Sequence, residues 1–222
     1  MALFANSVNS IFLVRHAETI KNIKNIHGGS GDFFLTSKGI EQLDTISERL
    51  IASNCNNSCS SIIYHSNSVQ TRDTASGLAD IMGLKTIETS LLNSVYLGKL
   101  NGLSDEEAKQ FHPVEYAIMS EWRERKIEIT ALIPIGLEDP FTYWDKGIKF
   151  ISSLNKNINI VVCSTSAMIM LSHLLTGHSP LAGGGYMHIP MGNAQILCFN
   201  IDDGKAHLNE HISDSDLIGY LS

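Results

Sequence analysis

Four apolar residues, Ile11, Phe12, Leu13 and Val14, run directly into Arg15, His16 and the small residue Ala17. An apolar run of this kind reads as a buried strand. In open α/β sheets, ligands sit beyond the carboxyl ends of the strands. Arg15 stays charged and its planar fork suits a phosphate, while His16 can be a neutral nucleophile near pH 7. An isolated Arg-His pair more simply closes a strand at the surface, so the meaning of this one depends on the rest of the chain.

After this strand, residues 20–34 carry Lys21, Lys24, His27, Gly28, Gly29 and Gly31 with little periodicity and read as a loop, placed to approach a phosphate or to cover it. Thr36 is a helix N-cap, followed by Ile40, Leu43, Ser47, Leu50 and Ile51 at helical spacing. A strand at Ile62, Ile63 and Tyr64 leads to a helix starting near Asn67, with a stripe of Ala75, Leu78, Ala79 and Met82 and a closing Gly83. A short strand is expected at 85–88, then an irregular glycine-punctuated segment at 92–103. Ser104 and Glu107 form a capping box that opens a helix ending near His112 and Pro113. Helices follow at 115–126 and, beyond Pro134, Gly136 and Pro140, at 141–154, where Phe141, Trp144, Ile148 and Ile151 share a face. A buried strand at 158–163 precedes a helix capped by Thr165 or Ser166, and Gly183, Gly184 and Gly185 mark a turn. The chain closes with strands at 194–201 and 206–212 joined by a turn at Asp202, Asp203 and Gly204. Strands alternating with helices give a three-layer α/β domain on a mainly parallel sheet.

The chain has 222 residues, enough for one sizeable domain and with no break that marks two. Its net charge of −7 argues against nucleic-acid or anionic-membrane partners, so any site for an anion must be a local concentration of positive charge. No run of about 18 apolar residues predicts a membrane span, and the first ten residues lack the pattern of a signal peptide. Cys163 and Cys198 lie in apolar runs, and Cys55 and Cys59 in a polar loop without a second pair to complete a metal site. A cytoplasmic protein with reduced thiols, no metal and no cofactor is expected.

The run from Ile11 to Thr19 resembles the Arg-His-Gly-Glu signature of the histidine phosphatase superfamily, phosphoglycerate mutase-like branch, with Ala17 in place of the glycine. The resemblance continues through Asn22, then through Asp32, Leu35, Thr36, Gly39 and Gln42 at the family's spacing. It recurs at Thr74 and Ala75, at Leu92 and Asn93 with Gly98 and Gly102, and at Asn193. It implies a three-layer α/β sandwich, a mainly parallel central sheet with helices on both faces, in one domain spanning residues 1–222. It also implies a cap at about 92–140 over the sheet's carboxyl edge, where substrate selectivity lies, and by analogy with the mutases a homodimer.

The family reaction transfers a phosphoryl group to a histidine nitrogen and then to water or another oxygen, which is nucleophilic catalysis. Two arginines and a second histidine hold the phosphoryl oxygens, and a carboxylic acid protonates the leaving oxygen. Arg15 and His16 match the first arginine and the nucleophile, and Asn22 a phosphate-contacting asparagine. The second arginine falls on Gln70, the proton donor on Ser94 and the second histidine on Thr165. Each replacement loses a charge or an ionisable group, and each keeps a hydrogen-bonding side chain. Arg123 follows Trp122 in a segment resembling a substrate-binding tryptophan-arginine-arginine run of the mutases, interrupted by Glu124. His65 ends the second strand and His188 precedes Asn193, so either could compensate for a missing group. Arg72 lies two residues beyond Gln70, a turn of about 200° along a helix, and is expected to point away.

The candidate catalytic residues are therefore Arg15 and His16, with Asn22, His65, Gln70, Ser94, Arg123 and Thr165 as binding residues for a small phosphorylated ligand. Three functions fit this pattern. One is a divergent phosphomonoesterase working slowly through His16, another a binding or regulatory pseudophosphatase, and the third an enzyme of the same fold with altered chemistry.

Overall fold

The computed structural model describes residue 4 and residues 7–28, 33–124, 135–177 and 189–221. Its centre is a six-stranded mixed sheet of β1 (Ser10–Arg15), β2 (Ser61–His65), β3 (Thr86–Glu88), β4 (Ile158–Cys163), β5 (Ile196–Asp202) and β6 (Lys205–Leu208), in the order β3-β2-β4-β1-β5-β6. The β3, β2, β4 and β1 neighbours pair in parallel, and β5 and β6 add an antiparallel flank. Alternate strand residues supply two cores. Ile11, Leu13, Tyr64, Val161 and Phe199 face the helices α5 (Pro113–Arg123), α6 (Pro140–Ser153) and α7 (Thr165–Leu175). Phe12, Val14, Ile63, Val162 and Cys198 face α2 (Ser37–Ala52) and α3 (Val69–Met82). The sandwich is the one expected from alternating strands and helices.

Local signals placed several element ends. Thr36 Oγ1 accepts from Gly39 N at 3.0 Å, and Ser104 and Glu107 close a reciprocal box at the start of α4 (Asp105–Phe111). Gly83 ends α3 in the left-handed conformation, φ 66°. Elsewhere the structure departs from the sequence expectation. Residues 20–34 are not all loop: α1 (Ile20–Ile23) forms one turn because Asn22 Oδ1 accepts from Thr19 N at 2.9 Å. Helix α7 is capped by Ser164, whose Oγ accepts from Ala167 N, rather than by Thr165 or Ser166. Ala194 has φ 63°, outside the strand range, so β5 starts at Ile196. Beyond Leu208 the chain turns, with Ser213 N donating to Asn209 O at 3.0 Å, so β6 stops short of residue 212.

Two helices bury a different stripe from the one that periodicity suggests. In α2, Gly39, Ile46, Ser47 and Leu50 are buried while Ile40 is 59% exposed, because Gly39 presses against the chain after β1. A Cβ on Gly39 would lie 2.1 Å from Glu18 O. In α6, Tyr143, Gly147, Phe150 and Ile151 point inward, whereas Phe141 and Ile148 lie outward. Gly147 sets that rotation, since a Cβ there would lie 2.1 Å from Met170 Sδ of α7.

The Gly39 contact yields a stability prediction. Gly39→Ala gains about 1 kcal/mol of helix propensity, but its methyl group collides with a backbone carbonyl rather than a yielding side chain. Overpacking costs about 1–3 kcal/mol, so a net loss is expected. Urea denaturation should show a lower midpoint than in the parent; an unchanged or raised midpoint would mean that the loop yields freely.

Candidate functional site

The carboxyl ends of β1 and β4 meet the amino end of antiparallel β5 at one edge of the sheet. The segments leaving these ends line a cleft of about 510 Å³. His16 follows β1 and is 3% exposed. Its Nδ1 lies 2.8 Å from Ala17 O, and a carbonyl can only accept, so Nδ1 carries the proton. Nε2 is then left with the lone pair. Burial first, then the charges of Arg15 and Lys21, push His16 down to about 3, against the opposing effect of the Ala17 hydrogen bond. The ring is neutral at physiological pH, as a nucleophile must be.

The loop carrying His16 is held from three sides. Ala17 N donates to Thr74 Oγ1 at 3.1 Å, and Thr74 Oγ1 in turn donates to Gln70 O at 2.7 Å, tying the loop to α3. Asn193 Nδ2 donates to His16 O at 3.0 Å and lies 3.2 Å from Asn22 Oδ1. Glu18 N donates to Gln42 Oε1 at 2.8 Å, so the spaced glutamine is a fastening of this loop to α2. With Asn22 Oδ1 engaged by Thr19 and Asn193, the end of Asn22 left for a ligand is its Nδ2 donor.

Arg15, His16, Asn22, Gln70, Ser94, Arg123 and Thr165 all line this cleft. Arg15 Nη1 donates to Met191 O, and burial lowers its pKa to about 10, which leaves it cationic. Gln70 is 2% exposed and its Oε1 has no hydrogen-bond partner among the described residues. Ser166, beside Thr165, accepts from Val95 N at 3.2 Å and from Tyr143 OH at 3.2 Å, which fastens the segment carrying Ser94 to the start of α7.

His65 is a correction. It is not among the residues lining the cleft. Its strand is separated from β1 by β4, and its Nδ1 donates to Ser66 O at 2.7 Å in a buried setting. Arg72 is exposed and 3.5 Å from Asp73, and it too is not among the lining residues. His188, Arg125 and Asp32 lie outside the described residues.

Lys21, His27 and Asp105 also line the cleft, although periodicity leaves the first two in an undifferentiated loop and the third as a helix-start carboxylate. They are assembled by backbone pairing, with His27 N donating to Leu103 O at 2.8 Å and Gly102 N to His27 O at 3.0 Å. His27 Nε2 then lies 2.8 Å from Asp105 Oδ1. Burial and the nearby Arg123 lower the pKa of His27, while Asp105 opposes them. Burial likewise lowers that of Arg123. The Asn22 motif offers the one sequence signal for Lys21, since the one-turn helix that contains this asparagine carries its neighbour along.

A profile of the histidine phosphatase superfamily (branch 1) matches residues 11–214. The chain belongs to this family. A 2,3-bisphosphoglycerate-dependent phosphoglycerate mutase from Bartonella quintana is 30% identical over 123 residues, 54% of this chain and 53% of the relative. The alignment thus spans about half the length of that curated relative. Among solved structures, Bacillus stearothermophilus YhfR superposes with a TM-score of 0.76 at 19% identity, covering 94% of this chain and 98% of its own. A mycobacterial glucosyl-3-phosphoglycerate phosphatase in complex with VO3 gives 0.72 at 20% identity, covering 91% and 98%. At such identities these structures establish a shared histidine phosphatase fold. Among the described residues no helix is long and apolar enough to cross a membrane.

Proposed function

We propose that this histidine phosphatase superfamily member binds a small phosphorylated metabolite in the cleft and accepts its phosphoryl group slowly on His16 Nε2. The observation that carries this reading is the state of His16. It is buried at a strand end beside Arg15, with Nδ1 committed to Ala17 O and Nε2 left as the basic atom. A ring so oriented and neutral can attack phosphorus, and Arg15 with the Asn22 amide can take the phosphoryl oxygens.

Slowness follows from the three positions where the family resemblance puts ionisable groups and this chain has Gln70, Ser94 and Thr165. Losing one electrostatic donor costs about 3–4 kcal/mol, roughly a hundredfold to a thousandfold in rate. A missing general acid costs about two to four decades. Turnover of p-nitrophenyl phosphate by the purified chain is therefore expected well below the usual range of about 1–1000 per second. A turnover inside that range would overturn the slow-enzyme reading.

A second reading, binding without chemistry, draws on the same three residues, which supply hydrogen bonds but no acid. Rapid quench into alkali, where a phosphohistidine survives, after mixing with a phosphate ester separates the two. Phosphohistidine at position 16 supports the slow enzyme, and saturable ligand binding without phosphohistidine supports the pseudophosphatase.

A further inference from the structure

Lys21 is a buried cation that neither the fold nor the reading above employs. It lies in the single turn α1, is 7% exposed, and lines the cleft. Its charge acts on both His16 and His27, so it lies near both. No hydrogen bond or carboxylate reaches its ammonium among the described residues. Among the described residues, the other titratable groups lining the cleft are Arg15, His16, His27, Asp105 and Arg123. Asp105 is the one acid among them, and it is engaged with His27.

Among the described residues, three cations, Arg15, Lys21 and Arg123, thus face one carboxylate in a chain whose net charge is −7. A buried ammonium without a counter-charge is unfavourable, because burial disfavours the charged form and like charges add to the penalty. Burial accordingly lowers its pKa to about 8. A methionine would fill the same space without that cost. Structural packing therefore gives no reason for a lysine here, whereas an anion in the cleft would.

We infer that Lys21 is an anion-binding residue of this cleft, its ammonium contacting the ligand's phosphoryl oxygens and supplying the second charge that Gln70 does not. The inference rests on the phosphate-handling reading and deepens it. A lysine is a point charge with three rotatable donors on a flexible stem, so it can meet the phosphoryl group from a different side than an arginine on α3. The arrangement selects a dianionic phosphoryl group rather than a neutral or singly charged ligand.

The test is calorimetric titration of the full chain with inorganic phosphate and, separately, with vanadate at neutral pH, together with melting curves. Lys21→Met should weaken binding of both anions by about tenfold or more, the loss expected for one charge-assisted hydrogen bond. It should also raise the melting temperature of the ligand-free protein, since it removes an uncompensated buried charge. Lys21→Arg should keep most of the affinity, and Gln70→Arg in the Lys21→Met background should restore it. Lys21→Gln, which keeps the polarity and removes only the charge, repeats the test if the methionine variant does not fold. Unchanged phosphate affinity in a folded uncharged variant overturns the role of Lys21 and leaves the phosphate reading standing. A parent protein that binds neither anion overturns both.

Discussion

The triple variant Gln70→Arg, Ser94→Glu and Thr165→His is expected to transfer phosphoryl groups at least about a thousandfold faster than the parent, given two to four decades for each restored group. The three positions line the same cleft as His16, so the new side chains enter one shared space rather than three separate surfaces. That space, about 510 Å³, can take the added atoms and still admit a phosphoryl group. Gln70→Arg alone should chiefly tighten vanadate, because it adds a permanent charge and a bidentate donor. Thr165→His should raise the rate more than the affinity, since its charge meets the oxygens as they gain charge in the transition state. Ser94→Glu supplies the proton for the leaving oxygen, so its effect should be larger on alkyl than on nitrophenyl esters. The combined gain should exceed the product of the single gains, as for groups that act as a unit. A folded triple variant that forms no phosphohistidine at position 16 would show that the cleft no longer has phosphatase geometry. Altered chemistry would then be the better account.

His16→Ala should remove all turnover above the uncatalysed background and all alkali-quenched phosphoenzyme, while vanadate binding through Arg15 and Lys21 persists in weakened form. Residual turnover equal to the parent's would place the chemistry elsewhere. The same variant has a pH signature. His16 is held at about 3 in the folded chain, against 6.5 in its ordinary state. The unfolded chain therefore binds more protons between those values, and stability must fall as pH drops through that window. Above it the contribution is fully present. Urea midpoints at pH 7 and pH 4.5 should differ less in His16→Ala than in the parent, and equal differences in both would exclude His16 as the group responsible. Activity should not fail on the acid side through His16 itself until pH approaches about 3, because the ring stays unprotonated until then.

Local physics made much of the architecture legible in the sequence. Continuous apolar runs become β1, β2 and β4 because strands covered on both faces need no polar alternation. Thr36, Gly83 and the Ser104–Glu107 box mark helix ends because each satisfies backbone groups within a few residues of itself. Helix rotation was less legible. Whether Ile40 or Ile46 of α2 turns inward is decided by Gly39 meeting Glu18 O, a contact that periodicity does not contain.

The candidate site divides along the same line. By itself the sequence determined the strand that ends in Arg15 and His16, and the family register that leads to Gln70, Ser94 and Thr165. Only the tertiary structure decided that Lys21, His27 and Asp105 line one cleft with them and with Arg123, and that His65 does not. Bonds between His27 and residues 102 and 103 bring together side chains far apart in sequence. Strand order does the reverse for His65, placing β4 between its strand and β1. The charge of the cleft is a sum over residues from separate segments, and it has a sign only once the chain has folded.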